Sequence, residues 1–226
     1  MLVSGSELTL EKLNKDSDYL VHEPKTRSEQ KNSNIEDLTP QELIENGFEK
    51  HRSILINELM EKLYNINPYE FQNVILELLK KMGYGDYEST PKSGDGGIDG
   101  IINQDQLGIE KIYIQAKRYK EGNKVREPEI RDFIGAMSGD VRKGIFVTTS
   151  AFDELAINKA KNDRNHTIIL IDGDKLVELM IKFNIGVQNK DVYEIKVIDE
   201  DFFESDWKHI GIFNSKIVSN FVASAT

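Results

Sequence analysis

The chain has 226 residues, of which 38% are apolar, and its 39 acidic and 29 basic side chains give a formal net charge of −10. The absence of cysteine excludes disulfides, thiol catalysis and thiolate zinc sites. No apolar run approaches the roughly 18 residues that a membrane-spanning helix needs, and the first residues do not resemble a secretion signal. We therefore expect a soluble cytoplasmic protein that does not associate with membranes.

The N-terminal part of the chain changes character at Thr39. Residues 1–38 are polar and predict a linker or a loosely held arm. Thr39-Pro-Gln-Glu is typical of a capping box and predicts a helix to about residue 65. A second capping box begins at Asn67 and opens a helix whose apolar residues recur every three or four positions, until Gly83 ends it.

Strands and helices alternate through the rest of the sequence. Apolar alternation and turn residues predict strands over 87–90, 97–102, 109–117, 144–149 and 167–171. Helices are predicted over 127–138, from a capping box at Ser150 to about residue 162, and over 175–184. The order predicts an α/β fold with a central mixed β-sheet flanked by helices. Residues 191–206 contain seven acidic residues and one lysine, which indicates a solvated acidic edge.

The glycine-rich loop Ser93-Gly-Asp-Gly-Gly-Ile-Asp-Gly100 precedes a predicted strand. It does not fit a dinucleotide loop, since Asp99 stands where the third glycine belongs and no helix follows. It does not fit a calcium loop beginning at Asp95, because Gly97 and Gln106 occupy ligand positions. A tight hairpin turn containing Asp95 explains most of the loop. It leaves Asp99 unexplained, because a carboxylate flanked by Ile98 and Ile101 needs a cation, a metal or a hydrogen-bond donor.

Possible partners of Asp99 lie on the next strand. The two-residue period puts Tyr113, Gln115 and Lys117 on one face, and a hairpin would bring Asp99 beside Gln115 and Lys117. A carboxylate, an amide oxygen and a lysine on adjacent strands suit Mg²⁺ and a scissile phosphate. By spacing alone, an ordinary strand with an exposed lysine explains the same residues.

The sequence resembles a known nuclease family in several places. Asp99 followed by Gln115-Ala116-Lys117 resembles the D…(D/E/Q)-x-K core of restriction-endonuclease-like nucleases. The surrounding segments resemble the catalytic domain of the Mrr family, in order along the chain: FQNVILELLKKMGYG (71–85), SGDGGIDG (93–100), IQAKRY (114–119), FIGAM (133–137), GIFVTTSAF (144–152) and LIDGDKLVELMIKFNIGV (170–187). The resemblance implies a restriction-endonuclease-like core over residues 67–190, preceded by a helical extension over 39–66 and followed by an acidic tail over 191–226.

The resemblance also implies roles for individual residues. Asp99 would be a catalytic metal ligand, Gln115 would take the second ligand position, and the backbone carbonyl of Ala116 would complete the metal shell. Lys117 would orient the attacking water and stabilise charge on the phosphate. Gln72 occupies a first-helix position at which the family often has glutamate, so we expect a pocket with fewer acids. Thr148 and Thr149 lie near the site in the family pattern. The implied cofactor is Mg²⁺, for which Mn²⁺ can substitute.

A basic run lies next to this predicted site. Residues 111–126 carry six basic side chains and one acidic side chain, a local charge of +5 in an acidic protein. Such runs are usually solvated faces, but beside a phosphate site this one predicts a clamp on the DNA backbone. The residues assigned to DNA binding are Arg118, Lys120, Lys124 and Arg126.

The sequence therefore predicts a metal-dependent DNA endonuclease of the Mrr type that restricts foreign, modified DNA. Its expected partner is double-stranded DNA, cut by a homodimer. One alternative is a junction-resolving or repair nuclease on the same fold, and another is a DNA-binding scaffold whose catalytic site has decayed. Residues 1–38 are too short and polar for an N-terminal DNA-reading domain, so we expect recognition to depend on a missing segment or a partner.

Overall fold

The computed structural model describes residues 38–89, 98–105, 108–137 and 141–204. The predicted arm, Asp95 with most of the glycine-rich loop, and the end of the acidic tail lie outside the described residues. The chain divides into two compact units, Met1–Gln188 and Asn189–Thr226. Across the described ranges, none of the helices combines the length and the apolar character that crossing a membrane would require.

Two capped helices begin the described part of the first unit, as predicted. Helix α1 spans Pro40–Asn65 and helix α2 spans Pro68–Lys81. The side chain of Thr39 accepts a hydrogen bond from the Glu42 N–H at 3.3 Å, and that of Asn67 accepts from the Glu70 N–H at 2.9 Å. Gly83 follows α2 with a φ of +88°, the left-handed conformation that ends a helix and favours glycine.

A five-stranded mixed sheet forms the centre of the unit, which confirms the predicted fold class. Strands β1 to β3 pair antiparallel, whereas β3, β4 and β5 run parallel to one another. The strands lie in the order of the sequence, so β3 is central. Their bounds are Tyr87–Ser89 for β1, Gly100–Asn103 for β2, Lys111–Lys117 for β3, Lys143–Thr148 for β4 and Thr167–Ile171 for β5.

Three more helices lie in the described part of the first unit: α3 over Glu127–Ala136, α4 over Glu154–Lys161 and α5 over Gly173–Lys182. The prediction that Ser150 caps α4 is wrong. Asp153 is the cap, and its side chain accepts a hydrogen bond from the Ala156 N–H at 2.7 Å. The helix begins later because Phe152 forms a parallel β-bridge with Val125, which keeps that segment extended.

The two faces of the sheet pack against separate hydrophobic clusters. Ile112, Ile114 and Ala116 of β3 belong to the cluster that contains the buried residues of α1, α2 and α5. Phe146 of β4 belongs to the cluster formed with α3 and α4. Because helices cover both faces, the central strand β3 is buried, and the polar residues at its carboxyl end lie close to the protein interior.

The described part of the second unit contains one short helix, α6, over Glu200–Glu204. All side chains of residues 189–203 are exposed. Large apolar side chains are exposed together with the acidic ones, and Val192 is 81% exposed.

Candidate active site

Asp99 immediately precedes β2, and hydrogen bonds to β3 and α2 hold it in place. Its backbone N–H donates to the carbonyl of Ile114 at 2.8 Å. Its carboxylate accepts one hydrogen bond from the Ala116 N–H at 2.7 Å and another from the side-chain amide of Gln72 at 2.5 Å. The two backbone partners flank Gln115 in β3, so the structure brings Asp99 beside Gln115.

The predicted hairpin is therefore present. Gly100 of β2 pairs with Ile114 of β3 in an antiparallel register. The side-chain amide of Gln72 crosses from α2 to Asp99, so Gln72 faces the sheet. The nitrogen of the Gln72 amide and the backbone N–H of Ala116 together fix the orientation of the carboxylate.

Gln115 is a buried polar residue with an unsatisfied oxygen. Its side chain is 5% exposed, and its Oε1 atom has no hydrogen-bond partner among the described residues. Leaving a buried acceptor unpaired costs about 1–3 kcal/mol, so such an atom calls for a ligand. An amide oxygen next to a carboxylate is a donor set that suits a hard divalent cation.

The acidic content of the site is low. The described residues contain no group of three or more His, Cys, Asp or Glu side chains that could hold a metal ion. Among the described residues, the Asp99 carboxylate lies beside Gln115 through its hydrogen bond to the Ala116 N–H.

Lys117 ends β3, and two threonines that follow one another hold its backbone. The Thr148 hydroxyl donates to the Lys117 carbonyl at 2.9 Å, and the Thr149 N–H donates to the same oxygen at 3.3 Å. The Lys117 side chain is half-buried. Its ammonium forms no ion pair with a carboxylate in the described ranges.

Thr149 also holds the residue two positions beyond Lys117. Its hydroxyl donates to the Tyr119 carbonyl at 2.6 Å and accepts from the Tyr119 N–H at 2.8 Å. The side chain is 1% exposed. The sequence placed Thr148 and Thr149 near the site only by resemblance, because hydrogen bonds between segments 30 residues apart leave no local pattern.

Arg118, which was predicted to bind DNA, contacts α1. Its Nη1 atom donates to the carbonyl of Tyr64 in the last turn of α1 at 2.6 Å. Its Nε atom is buried and has no hydrogen-bond partner within the described part of the chain. At least one nitrogen of this guanidinium therefore bonds to α1 and holds the helix against the end of β3.

The other three predicted DNA-binding residues, Lys120, Lys124 and Arg126, are exposed on the loop between β3 and α3. The bridge between Val125 and Phe152 fixes the far end of this loop through hydrogen bonds of 2.9 Å. These contacts hold the loop beside the carboxyl ends of β3 and β4.

The near end of the same loop is fixed to α3 by Glu129. Its carboxylate accepts from the Tyr119 hydroxyl at 2.5 Å and from the Arg126 N–H at 2.9 Å. The hydrogen bond to Glu129, together with burial and the negative charge of Glu129, raises the pKa of Tyr119 to about 12. Tyr119 therefore remains a neutral donor at physiological pH, and the loop is anchored at both ends.

The comparisons with known proteins agree with this arrangement. The sequence model of a restriction endonuclease family, the Mrr catalytic domain, matches residues 63–180. The chain is 36% identical over 171 residues to the type IV methyl-directed restriction enzyme EcoKMrr of Escherichia coli (strain K12). That match covers 74% of this chain and 55% of the relative, so the chain spans about half the length of the curated relative it matches.

Two solved structures are also similar to the chain. The DNA modification-dependent restriction endonuclease AspBHI is 26% identical, with 60% of this chain and 36% of that chain covered and a TM-score of 0.48. The MspJI restriction endonuclease in complex with a 27-mer oligonucleotide is 21% identical, with 57% and 31% covered and a TM-score of 0.46.

A five-stranded mixed sheet with helices packed on both faces is the architecture of a restriction-endonuclease-like domain. The family match covers more than half of the chain. The chain belongs to the Mrr-type restriction endonuclease family.

The buried position of Gln115 generates a prediction about metal binding that does not depend on activity. Gln115→Glu places a second carboxylate beside Asp99, so without divalent cations we expect the melting temperature to fall by roughly 4 °C or more. Mg²⁺ should raise the melting temperature of this variant more than that of the wild type, because bound cation offsets the repulsion. Thermal unfolding with Mg²⁺ and with chelator measures both effects.

The exposed Gln188 provides the matched control. Gln188→Glu should melt as the wild type does, with or without Mg²⁺. Identical Mg²⁺-induced shifts in Gln115→Glu and the wild type would show that the Gln115 side chain is not a metal ligand.

A second prediction concerns Thr149. Thr149→Val leaves both backbone groups of Tyr119 without their side-chain partner, so we expect the free energy of unfolding to fall by about 1–3 kcal/mol. Thr149→Ser retains the hydroxyl and should cost clearly less. Urea denaturation measures the difference, with Thr167→Val as a control at an exposed position of β5. Equal losses for valine and serine would mean that the hydroxyl contributes nothing.

Proposed function

We propose that this chain is the catalytic part of a metal-dependent DNA endonuclease, which hydrolyses phosphodiester bonds of foreign, modified DNA. The observation that carries the proposal is the oriented Asp99 carboxylate beside the unsatisfied Oε1 atom of Gln115, with Lys117 two residues farther along β3. The restriction to modified DNA is supported by the similarity to the methyl-directed relative.

Asp99 and Gln115 are the residues that would hold the metal. We assign the third ligand position to the Ala116 carbonyl. The Ala116 N–H already points toward Asp99, and in an extended strand the N–H and C=O groups of one residue point to the same side. A bound Mg²⁺, or Mn²⁺ in its place, supplies Lewis-acid polarisation of the phosphoryl oxygen.

Lys117 supplies the positive charge that the site needs as the reaction proceeds. Attack of water on the phosphorus increases the negative charge on the phosphate oxygens, and a positioned ammonium stabilises that charge. Lys117 also orients the attacking water by hydrogen bonding. Thr148 and Thr149 donate hydrogen bonds to the Lys117 carbonyl, so the backbone from which the ammonium group extends is held in place.

DNA binding is assigned to the loop between β3 and α3. Lys120, Lys124 and Arg126 are exposed there and can reach phosphate groups on either side of the scissile bond. Arg118 is assigned mainly to the contact with Tyr64. A homodimer would cut both strands of the duplex, since each copy carries one site.

A specific observation favours one alternative, a DNA-binding scaffold without catalysis. Gln72 and Gln115 are neutral where related nucleases often have acids, and Gln72 hydrogen-bonds to Asp99. Asp99 and Lys117 are both present, which supports the nuclease. DNA binding by a wild-type protein that cannot cleave in Mg²⁺ or Mn²⁺ would establish the scaffold instead.

The nuclease proposal predicts that cleavage requires the carboxylate of Asp99. Asp99→Asn keeps the shape of the side chain but removes its charge, so we expect cleavage of methylated plasmid to fall at least about 100-fold. A loss of about 100-fold is the upper end of the effect of replacing a residue that supports a metal ligand without binding the metal. Asp99 is assigned as a direct ligand, so its replacement should cost at least as much. The measurement compares methylated and unmethylated plasmid, with Mg²⁺, with Mn²⁺ and with chelator.

Asp132→Asn is the matched control, because Asp132 is 72% exposed on α3 and far from β2 in sequence. This variant should cleave at the wild-type rate. If a folded Asp99→Asn protein cleaves as fast as the wild type, Asp99 is not a catalytic ligand.

The basic loop predicts a separation between binding and chemistry. Replacing Lys120, Lys124 and Arg126 by alanine should weaken binding to all DNA sequences alike and reduce the salt dependence by about three units, one for each lost phosphate contact. Lys117→Ala should spare most of the affinity but lower cleavage at least about 100-fold. Titrations at several salt concentrations and single-turnover cleavage separate the two effects.

Three exposed residues of α1, Lys50, Arg52 and Lys62, provide a control triple variant with the same change in charge. Their replacement by alanine should leave the salt dependence as in the wild type. A loop variant with wild-type affinity and salt slope would show that the loop is solvated and does not bind DNA.

A further inference from the structure

Two adjoining cavities form an open groove along one side of the first unit. The first, of about 620 Å³, lies beside the loop between β3 and α3, and the second, of about 550 Å³, lies along α4. Glu127 and Leu155 line both cavities, so the two are continuous. We call this groove the lateral groove. It begins at Lys124 and Arg126 and ends at Arg164, in the turn after α4.

The lateral groove has four cations that form no ion pair with any carboxylate of the described residues. They come from the loop, from α4 and from the turn that follows it: Lys124, Arg126, Lys159 and Arg164. None of the four belongs to an ion pair formed within the described ranges. Four cations against the three carboxylates Glu127, Asp153 and Asp163 leave the groove with a positive surplus, which attracts a polyanion and is only partly screened at short range.

The acidic residues of the groove are already engaged by the protein. Glu127 forms an ion pair with Arg131 at 3.6 Å. Asp153 caps α4, and Asp163 accepts hydrogen bonds from the N–H of His166 at 2.8 Å and from its ring Nδ1 at 2.9 Å. These contacts use carboxylate oxygens within the protein, whereas the cations keep their donors for a ligand.

Helix α4 presents an unusual stripe to the groove. Leu155, Asn158, Lys159 and Asn162 follow the i, i+3, i+4, i+7 spacing that usually marks a buried apolar face. Here the stripe is mainly polar, and Leu155 is 67% exposed. Amide side chains contact phosphate and sugar oxygens in protein–DNA complexes, so this stripe complements the cations.

We propose that the lateral groove binds the DNA backbone beyond the scissile phosphate, as a continuation of the basic loop along α4. The inference rests on the proposed nuclease function, because it extends the same duplex away from Lys117. Lys159 and Arg164 are the residues that this surface adds, and Asn158 and Asn162 support them. Contacts at this distance fix the register of the duplex and carry no base sequence information.

The test uses DNA of two lengths and Lys159→Ala/Arg164→Ala in the full chain with Asp99→Asn, so that the DNA stays intact. One duplex has about one helical turn (about 10 base pairs) and the other about three turns. For the longer duplex, we expect about tenfold weaker binding than with Asp99→Asn alone and a salt slope smaller by about two units. The short duplex should bind almost equally to both proteins.

Two further variants sharpen the result. Lys159→Arg/Arg164→Lys keeps both charges and should restore binding of the longer duplex. Lys81→Ala/Arg142→Ala removes two exposed cations outside the groove and should have no effect. If Lys159→Ala/Arg164→Ala binds the longer duplex with unchanged affinity and salt slope, the lateral groove does not bind DNA and the nuclease proposal stands. If Asp99→Asn and the wild type both bind neither duplex, the nuclease proposal itself is overturned, and this inference with it.

Discussion

The arrangement of the site depends on how the Asp99 carboxylate is held. One of its donors is a backbone group of β3 and the other is a side chain of α2, so a single acid joins two strands and a helix. Without these donors, an acid between two isoleucines would have to turn toward solvent, away from Gln115. The orientation of the site therefore depends on the packing of α2 against the sheet.

Much of the fold could be predicted from the sequence because its signals are local. Both capping boxes at Thr39 and Asn67, the apolar period of α2, and the alternation in β3 each specify an element within a few residues. The start of α4 could not be predicted in this way. Ser150 has the side chain of a cap, but the bridge from Val125 to Phe152 keeps the next residues extended, and such long-range pairing outweighs local propensity.

Some residues of the candidate site could likewise be predicted from the sequence, and others could not. Asp99, Gln115 and Lys117 could be placed together because two-residue periodicity and one hairpin suffice, and Gln72 could be placed by helical periodicity. The orientation of Arg118 could not be predicted, since its partner Tyr64 lies 54 residues away. A basic residue next to a phosphate site suggests DNA binding by composition alone, whereas its actual contact is with the end of a helix.

The contact between Arg118 and Tyr64 has a mechanical consequence. Tyr64 forms two hydrogen bonds with this region. Its carbonyl accepts from Arg118, and its hydroxyl donates to the Thr149 carbonyl at 3.3 Å. Thr149 also hydrogen-bonds to Tyr119. Helix α1 is therefore connected to Arg118 directly and to Tyr119 through Thr149. A change in the position of α1 would therefore be transmitted through these hydrogen bonds to the backbone that follows Lys117. The positions of α1 and of the carboxyl end of β3 are thus coupled.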